Sequence, residues 1–199
     1  MNIIWHGHSC FEITGKDGTI IFDPYQANSV PGLNSLKLKA NLVLCSHEHD
    51  DHNARNCVEV APKDFKVTCI ETYHDHHQGS HRGKNTIHIV DFENLKVVHM
   101  GDIGCMMDDV SKLKNCDVLM IPIGGYYTID TKEALKYIKR IQPRIVIPMH
   151  YRSHEFGYDV LSTNEEFIQK SSNIVYVDDY LEVHKETKGQ TIVLKKPRN

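Results

Sequence analysis

His47-Glu48-His49-Asp50-Asp51-His52 is the stretch on which the reading of this chain turns. Four side chains able to bind a metal, His47, His49, Asp51 and His52, fall within six residues, directly after the apolar run Leu42-Val43-Leu44-Cys45. Residues 41–45 read as a buried strand, so the cluster stands at a strand's C-terminal end. In an extended chain residues two apart point to the same side, and His47 and His49 can converge on one ion. If the backbone then turns into a helix, Asp51 and His52 swing toward a second point nearby, so two ions become geometrically reasonable. Imidazole and carboxylate suit zinc first, with manganese, iron or nickel as alternatives, and no cysteine falls in the cluster to close a structural zinc site. The HExxH pattern is excluded because Asp51 stands where its second histidine should be. A solvated polar loop is the plainer reading, and four ligand types so tightly spaced argue against it.

Two ions need more ligands than this segment holds, and other strand ends offer them. His74 follows a strand expected over 66–73, Asp102 follows one over 95–100, and His150 follows one over 144–148. Further strands are expected at 2–6, 10–14, 19–22, 86–91 and 118–121, with a closing hairpin of 181–184 and 191–194. The helical pattern is strongest over 131–141, where Ala134, Leu135, Ile138 and Ile141 share a face and Pro143 ends the run. A second helix is expected after Ser162 or Thr163 as N-cap, with weaker candidates at 53–60 and 106–113. The sum is a mixed α/β chain, expected to form one domain over 1–199.

Composition narrows the function classes. Lys and Arg number 23 against 26 Asp and Glu, for a net charge of −3, which leaves no broad basic footprint for nucleic acid or an anionic membrane. No apolar run is long enough for a membrane helix. Met1-Asn2-Ile3-Ile4-Trp5 lacks the basic and apolar regions of a secretory signal, so a cytoplasmic location is expected. The six cysteines form no CxxC pair and read as thiols rather than a disulfide framework. Histidine is the outlier, with 14 residues that are bunched. No feature of the sequence sets an oligomeric state.

HxHxDH at 47–52, a later histidine, Gly-Asp at 101–102 and Pro-Met-His at 148–150, in this order, resemble the metallo-β-lactamase superfamily. His-Gly-His-Ser at 6–9, Phe-Asp-Pro at 22–24, Gly-Lys-Asn-Thr at 83–86 and Pro-Ile-Gly-Gly-Tyr-Tyr-Thr at 122–128 look like its short metal-dependent hydrolase branch, related to the L-ascorbate-6-phosphate lactonase group. The resemblance implies an αββα sandwich with the metals at one edge of the sheets. It places His47, His49 and His74 on a first metal and Asp51, His52 and His150 on a second, with Asp102 bridging. His76, His77 and His81 compete with His74, which is favoured because it stands first after the strand. Two-zinc members that hydrolyse antibiotics commonly carry cysteine at the bridging position, so an aspartate there points to ester or phosphoester hydrolysis.

The function so implied is a dinuclear metal-dependent hydrolase acting on a small anionic ester, a lactone or a phosphodiester. Two ions about 3.5 to 4 Å apart would activate a shared water, and Asp51 would be the catalytic residue orienting it. Arg82 and Lys84 are placed to hold the anionic part of the substrate, or else form a solvated basic turn. Tyr127 is a candidate pocket wall or a packing residue, and His8 a residue behind the ligands or in contact with substrate, or a turn histidine. His99 has the wrong strand parity to face the metals, and His88 and His184 read as solvent-facing. Two other classes stay open: an iron-dependent oxygenase or redox member of the same fold, and a metal-holding domain without turnover.

Overall fold

In the computed structural model, which describes residues 1–198, the chain opens with the expected meander. β1 (Asn2–Gly7), β2 (Cys10–Gly15) and β3 (Gly18–Phe22) pair antiparallel in sequence. Next come β4 (Leu38–Ala40), β5 (Leu42–Leu44) and β6 (Val58–Val60); β5 extends the meander parallel to β3, and β4 pairs with β6. The chain continues through β7 (Val67–Tyr73), β8 (Lys84–Phe92), β9 (Leu95–His99), β10 (Val118–Pro122), α1 (Thr131–Ile141) and β11 (Ile145–Met149). α2 (Glu165–Lys170), β12 (Ile174–Val177), β13 (Tyr180–Glu182) and β14 (Gln190–Leu194) complete it.

Two mixed sheets result, ordered β13-β1-β2-β3-β5 and β12-β14-β11-β10-β9-β8-β7. Every residue of β10 and β11 is buried, which is why both read as unbroken apolar runs: parallel strands inside a sheet are covered on both faces. One core joins Trp5, Phe11, Ile20 and Phe22 of the first sheet to Ile87, Val97, Met120 and Ile147 of the second and to Ala134, Tyr137 and Ile141 of α1. Ile21, between two core residues of β3, instead joins Cys10, Tyr25, Val30, Ala40 and Val58 in a smaller cluster. The outer layer over the first sheet is therefore built from the segment around Tyr25–Val30 with β4 and β6, while α1 caps the second. This is the layered α/β arrangement expected.

α1 matches its expected bounds because Asp130 and Glu133 form a reciprocal capping box and Gln142 leaves the helix in the left-handed region at φ 56°. Tyr137, rather than Leu135 or Ile138, joins Ala134 and Ile141 on its buried face. Four expectations are corrected. The 181–184 and 191–194 segments do not form a hairpin: Leu181 pairs with Ile3 in the first sheet, Thr191 with Val146 and Ile174 in the second. α2 starts at Glu165 behind Asn164, with no side-chain cap from Ser162 or Thr163. Within 53–60 only Arg55–Cys57 winds, as a 3₁₀ turn with no buried residue to anchor a longer helix. Within 106–113 only Ser111–Leu113 does so, held by Asp109. No helix among the described residues is long and apolar enough to cross a membrane, and all six cysteines are free.

The topology gathers the polar strand ends. His8, Asp23, His47, His74, Asp102 and His150 follow the C-terminal ends of β1, β3, β5, β7, β9 and β11, so residues distant in sequence meet at one edge of the two sheets.

Candidate metal centre

Two groups of donors form there, joined by a third made of His47, His52 and Asp102. The ligand atoms of His47, His49 and His74 lie within 4.8 Å of one another, as do those of His8, Asp51, His52 and His150. Asp102 stands between them: its Oδ2 is 2.9 Å from His150 Nε2, 3.1 Å from His52 Nε2 and 3.3 Å from His74 Nε2. All seven residues expected to bind metal are thus brought together, and His8 joins the second group. His76, His77 and His81 belong to neither.

The histidines are oriented from behind. His52 Nδ1 lies 2.9 Å from Asp23 Oδ2, and His74 Nδ1 lies 3.0 Å from the Tyr127 carbonyl. Ser46 Oγ donates to Asp23 Oδ2 at 2.7 Å and so accepts from His47 Nδ1 at 2.9 Å. In each case the hydrogen-bond network places a proton on Nδ1 and turns Nε2 toward the site as the nitrogen that could ligate. His47 Nε2, His52 Nε2 and Asp102 Oδ1 are buried without hydrogen-bond partners. Converging imidazole nitrogens and a carboxylate oxygen without partners are what a cation requires of its pocket, and the all-imidazole and carboxylate set suits zinc or a neighbouring divalent metal.

Backbone geometry makes the approach possible. His8, Asp23 and His150 all take positive φ, at 52°, 42° and 52°, a region that non-glycine residues seldom occupy outside functional turns. Asn85, in β8, accepts from Asp102 N at 2.8 Å and donates to Thr72 Oγ1 and the Met100 carbonyl. A Cβ at Gly101 would come within 2.4 Å of Ser46 Cβ, and one at Gly104 within 2.4 Å of the His74 carbonyl carbon. Only glycine lets these segments pack.

A cavity of about 320 Å³ opens over the site, lined by His49, Asp51, His74, Asp102, His150, Arg82, Tyr127 and Tyr158. The Arg82 guanidinium lies 5.2 Å from the Tyr127 ring and 5.8 Å from that of Tyr126. Lys84, expected beside Arg82 over the metals, instead lines an adjacent cleft and pairs with Glu71 at 3.2 Å across β7 and β8. His8 Nε2 lies 3.3 Å from Asp51 Oδ2, which excludes the free turn reading. His99 bonds the Ser9 carbonyl and stays out of the metal groups. His88 is buried, not solvent-facing, because β8 is covered on both faces. Four residues that sequence reasoning missed are Asp23, Ser46, Asn85 and Tyr158, whose hydroxyl donates to the Ser29 carbonyl at 2.7 Å and lies 3.3 Å from Asp51 Oδ2.

Burial pushes His47 down to about 3 and His8 to about 4, and lowers His49, so these imidazoles are neutral at pH 7. Burial alone would raise the Asp102 carboxyl, but His150 and His52 outweigh it and hold it well below the usual carboxylate range. Asp51 is likewise held down against burial, by His52 and His8. Burial disfavours the His52 cation, yet Asp102, Asp51 and Asp23 overcome it and raise that group. His52 therefore keeps a proton that a bound cation would displace.

The β-lactamase superfamily domain matches residues 2–150 of the chain. A UPF0173 metal-dependent hydrolase of Natranaerobius thermophilus is 30% identical over 189 residues, covering 77% of this chain and 84% of the relative. One from Thermoplasma acidophilum is 28% identical over 193 residues, with 78% and 85% covered. The crystal structure of a Thermotoga maritima protein, described as a candidate zinc-dependent hydrolase of the metallo-β-lactamase superfamily, superposes with a TM-score of 0.78 at 26% identity over 97% of both chains. A metallo hydrolase of Ignicoccus hospitalis, at 19% identity and a TM-score of 0.61 over 85% of this chain and 89% of its own, shares the fold.

Proposed function

The chain belongs to the β-lactamase superfamily and, within it, to the UPF0173 metal-dependent hydrolases, and from this we propose that it is a dinuclear enzyme hydrolysing a small anionic ester. The observation that carries the reading is Asp102 Oδ2, with one imidazole of the first group and two of the second at 2.9 to 3.3 Å. Donors about 2.0 to 2.2 Å from a zinc ion in tetrahedral array stand roughly 3.3 to 3.6 Å apart, so a carboxylate at these spacings is placed to serve both groups. His47, His49 and His74 would hold one ion, Asp51, His52 and His150 the other, and Asp102 both. Zinc fits best, and it is the metal attributed to the Thermotoga maritima relative; manganese, iron and nickel satisfy the same donors.

Bound there, such ions supply a water ionised near neutral pH and a Lewis acid for the attacked group. The chain's own residues do the rest. Asp51 is held by His8 and Tyr158 and orients the attacking water. Arg82, fixed over two tyrosine rings, binds the anionic part of the substrate through charge-assisted hydrogen bonds. Tyr127 and Tyr158 wall a cavity that suits a small ester, and the aspartate at position 102 favours ester or phosphoester hydrolysis, either of a lactone, as in the ascorbate-6-phosphate lactonase group the sequence resembles, or of a phosphodiester.

The test is metal analysis of the isolated protein, then assay on phosphodiester and lactone panels with that metal restored after chelation. Two equivalents of a divalent metal and metal-dependent hydrolysis are expected. A single redox-active iron per chain with no hydrolysis would overturn the reading.

A further inference from the structure

The Asp75 carboxylate is committed in a way the metal centre does not explain. It follows His74 in sequence and is 2% exposed, yet it points away from the ligand groups. Its Oδ1 accepts from the amides of His77 at 2.7 Å and Gly79 at 2.9 Å, and its Oδ2 from those of His81 at 3.1 Å and Arg82 at 2.8 Å. A carboxylate with four donors has filled its acceptor sites and is no free metal ligand. These bonds close residues 75–82 into a loop that is tied again where His74 N donates to the Gly83 carbonyl and Gly83 N to that of Gly79. Gly79 sits at φ 81°, and a Cβ there would lie 2.9 Å from the Gly83 carbonyl oxygen, so the loop closes only on glycine. The last amide held is that of Arg82, whose guanidinium lies over Tyr126 and Tyr127 at the metal pocket. Arg82 is thus fixed at both ends, by Asp75 in its main chain and by aromatic faces in its side chain.

We infer that Asp75 is a positioning residue that holds Arg82 over the metal pocket and so sets affinity for the anionic part of the substrate, while contributing nothing to metal retention. This rests on the reading of Arg82 as the anion-binding side chain. A mobile arginine must be ordered at each binding event, and one already in place keeps that entropy out of the binding free energy. In Asp75→Asn one oxygen becomes an amide donor facing two of the four N–H groups, so the loop loses half its anchors with almost no change in shape.

Zinc-loaded wild type, Asp75→Asn, Arg82→Met and the double variant are titrated calorimetrically with inorganic phosphate, and their zinc content is measured. Each single variant should bind phosphate about tenfold more weakly, the double variant no more weakly than Arg82→Met, and zinc content should not change. Multiplying effects, about a hundredfold in the double variant, would overturn the inference, as would zinc loss in Asp75→Asn. Hydrogen exchange gives a readout independent of phosphate and of folding in the variant. The amides of His77, Gly79, His81 and Arg82 should be protected in wild type and in Arg82→Met, and the pair facing the new NH₂ should lose protection in Asp75→Asn. Unprotected amides in the wild type would refute the loop's closure whatever Arg82 does. Intact protection together with wild-type phosphate binding by Arg82→Met would sink the reading of Arg82, and the inference with it.

Discussion

Asp23→Asn should weaken both metal sites, although Asp23 itself touches neither group's open donors. Its carboxylate is fully buried and accepts three hydrogen bonds, from Ser46 N at 2.6 Å, Ser46 Oγ at 2.7 Å and His52 Nδ1 at 2.9 Å. Asparagine keeps the shape, but an oxygen left facing Ser46 N turns the amide NH₂ toward His52 Nδ1–H and the Ser46 hydroxyl, donor against donor. His52 can escape by moving its proton to Nε2, where it blocks ligation. Ser46 can escape by donating to His47 Nδ1, which forces the His47 proton onto Nε2 as well. Hydrogen bonds to a charged group contribute about 1.5 to 3 kcal/mol, and losing such a partner of a ligand histidine typically lowers metal affinity about 10- to 100-fold. We expect about a hundredfold at the group of His52, Asp51 and His150, where the contact is direct, and about tenfold at that of His47, His49 and His74, where Ser46 relays it. Zinc competition against a chromophoric chelator resolves the two affinities, and Ser46→Ala, which removes the His47 contact but leaves the Asp23 carboxylate on His52, should weaken chiefly the group of His47, His49 and His74. Zinc affinities within twofold of wild type in Asp23→Asn would refute this account of how the imidazoles are oriented.

Asp102→Ala or His150→Ala should lower kcat by at least about a thousandfold with thermal unfolding nearly unchanged, because the core is built without them; near-normal turnover in metal-verified protein would remove them from the ligand set. His74→Ala should empty part of the first group, whereas His76→Ala and His77→Ala should keep full metal content, and a site lost in His77→Ala would mean the register is wrong. Lys84→Met should leave KM on a phosphorylated substrate unchanged because Lys84 pairs with Glu71 outside the pocket, while Arg82→Met should raise KM about tenfold with kcat held; equal shifts in both would return Lys84 to the pocket. His88 is pushed down to about 4 by burial, so unfolding takes up a proton below the ordinary value of 6.5. Its contribution to stability is therefore complete above pH 6.5 and falls away toward pH 4, by roughly 2 kcal/mol between pH 7 and pH 5. Urea unfolding of His88→Leu should show a correspondingly shallower loss over that interval, and parallel pH slopes would contradict it.

The donors that the fold gathers were legible by two local rules: His47, His74, Asp102 and His150 come within three residues of an apolar run that ends as a strand, and His49, Asp51 and His52 crowd behind the first of them. Asp23 obeys the first rule too, standing behind Ile20-Ile21-Phe22, and was hidden because aspartate before proline also reads as a turn. Asn85 and Tyr158 lie beyond any such rule. Asn85 sits inside a strand and reaches the Asp102 amide only because β8 lies beside β9, and Tyr158 enters from a loop docked by Gly157 N on the Pro31 carbonyl. The false hairpin has the same origin. Tyr180–Glu182 and Gln190–Leu194 each look like a strand, but which sheet takes a strand is decided by the partners it meets in space. Lys84 shows the reverse case, in which sequence proximity to Arg82 suggested a shared target. In the folded chain Arg82 closes the loop and lines the cavity over the metal centre, whereas Lys84 opens β8 opposite Tyr73 and lines only the cleft beside it, so two neighbours separated by one glycine reach different places. Donors at strand ends can be read locally since each strand carries its own, whereas the residues that orient them belong to other strands and exist as a set only once the sheets have packed.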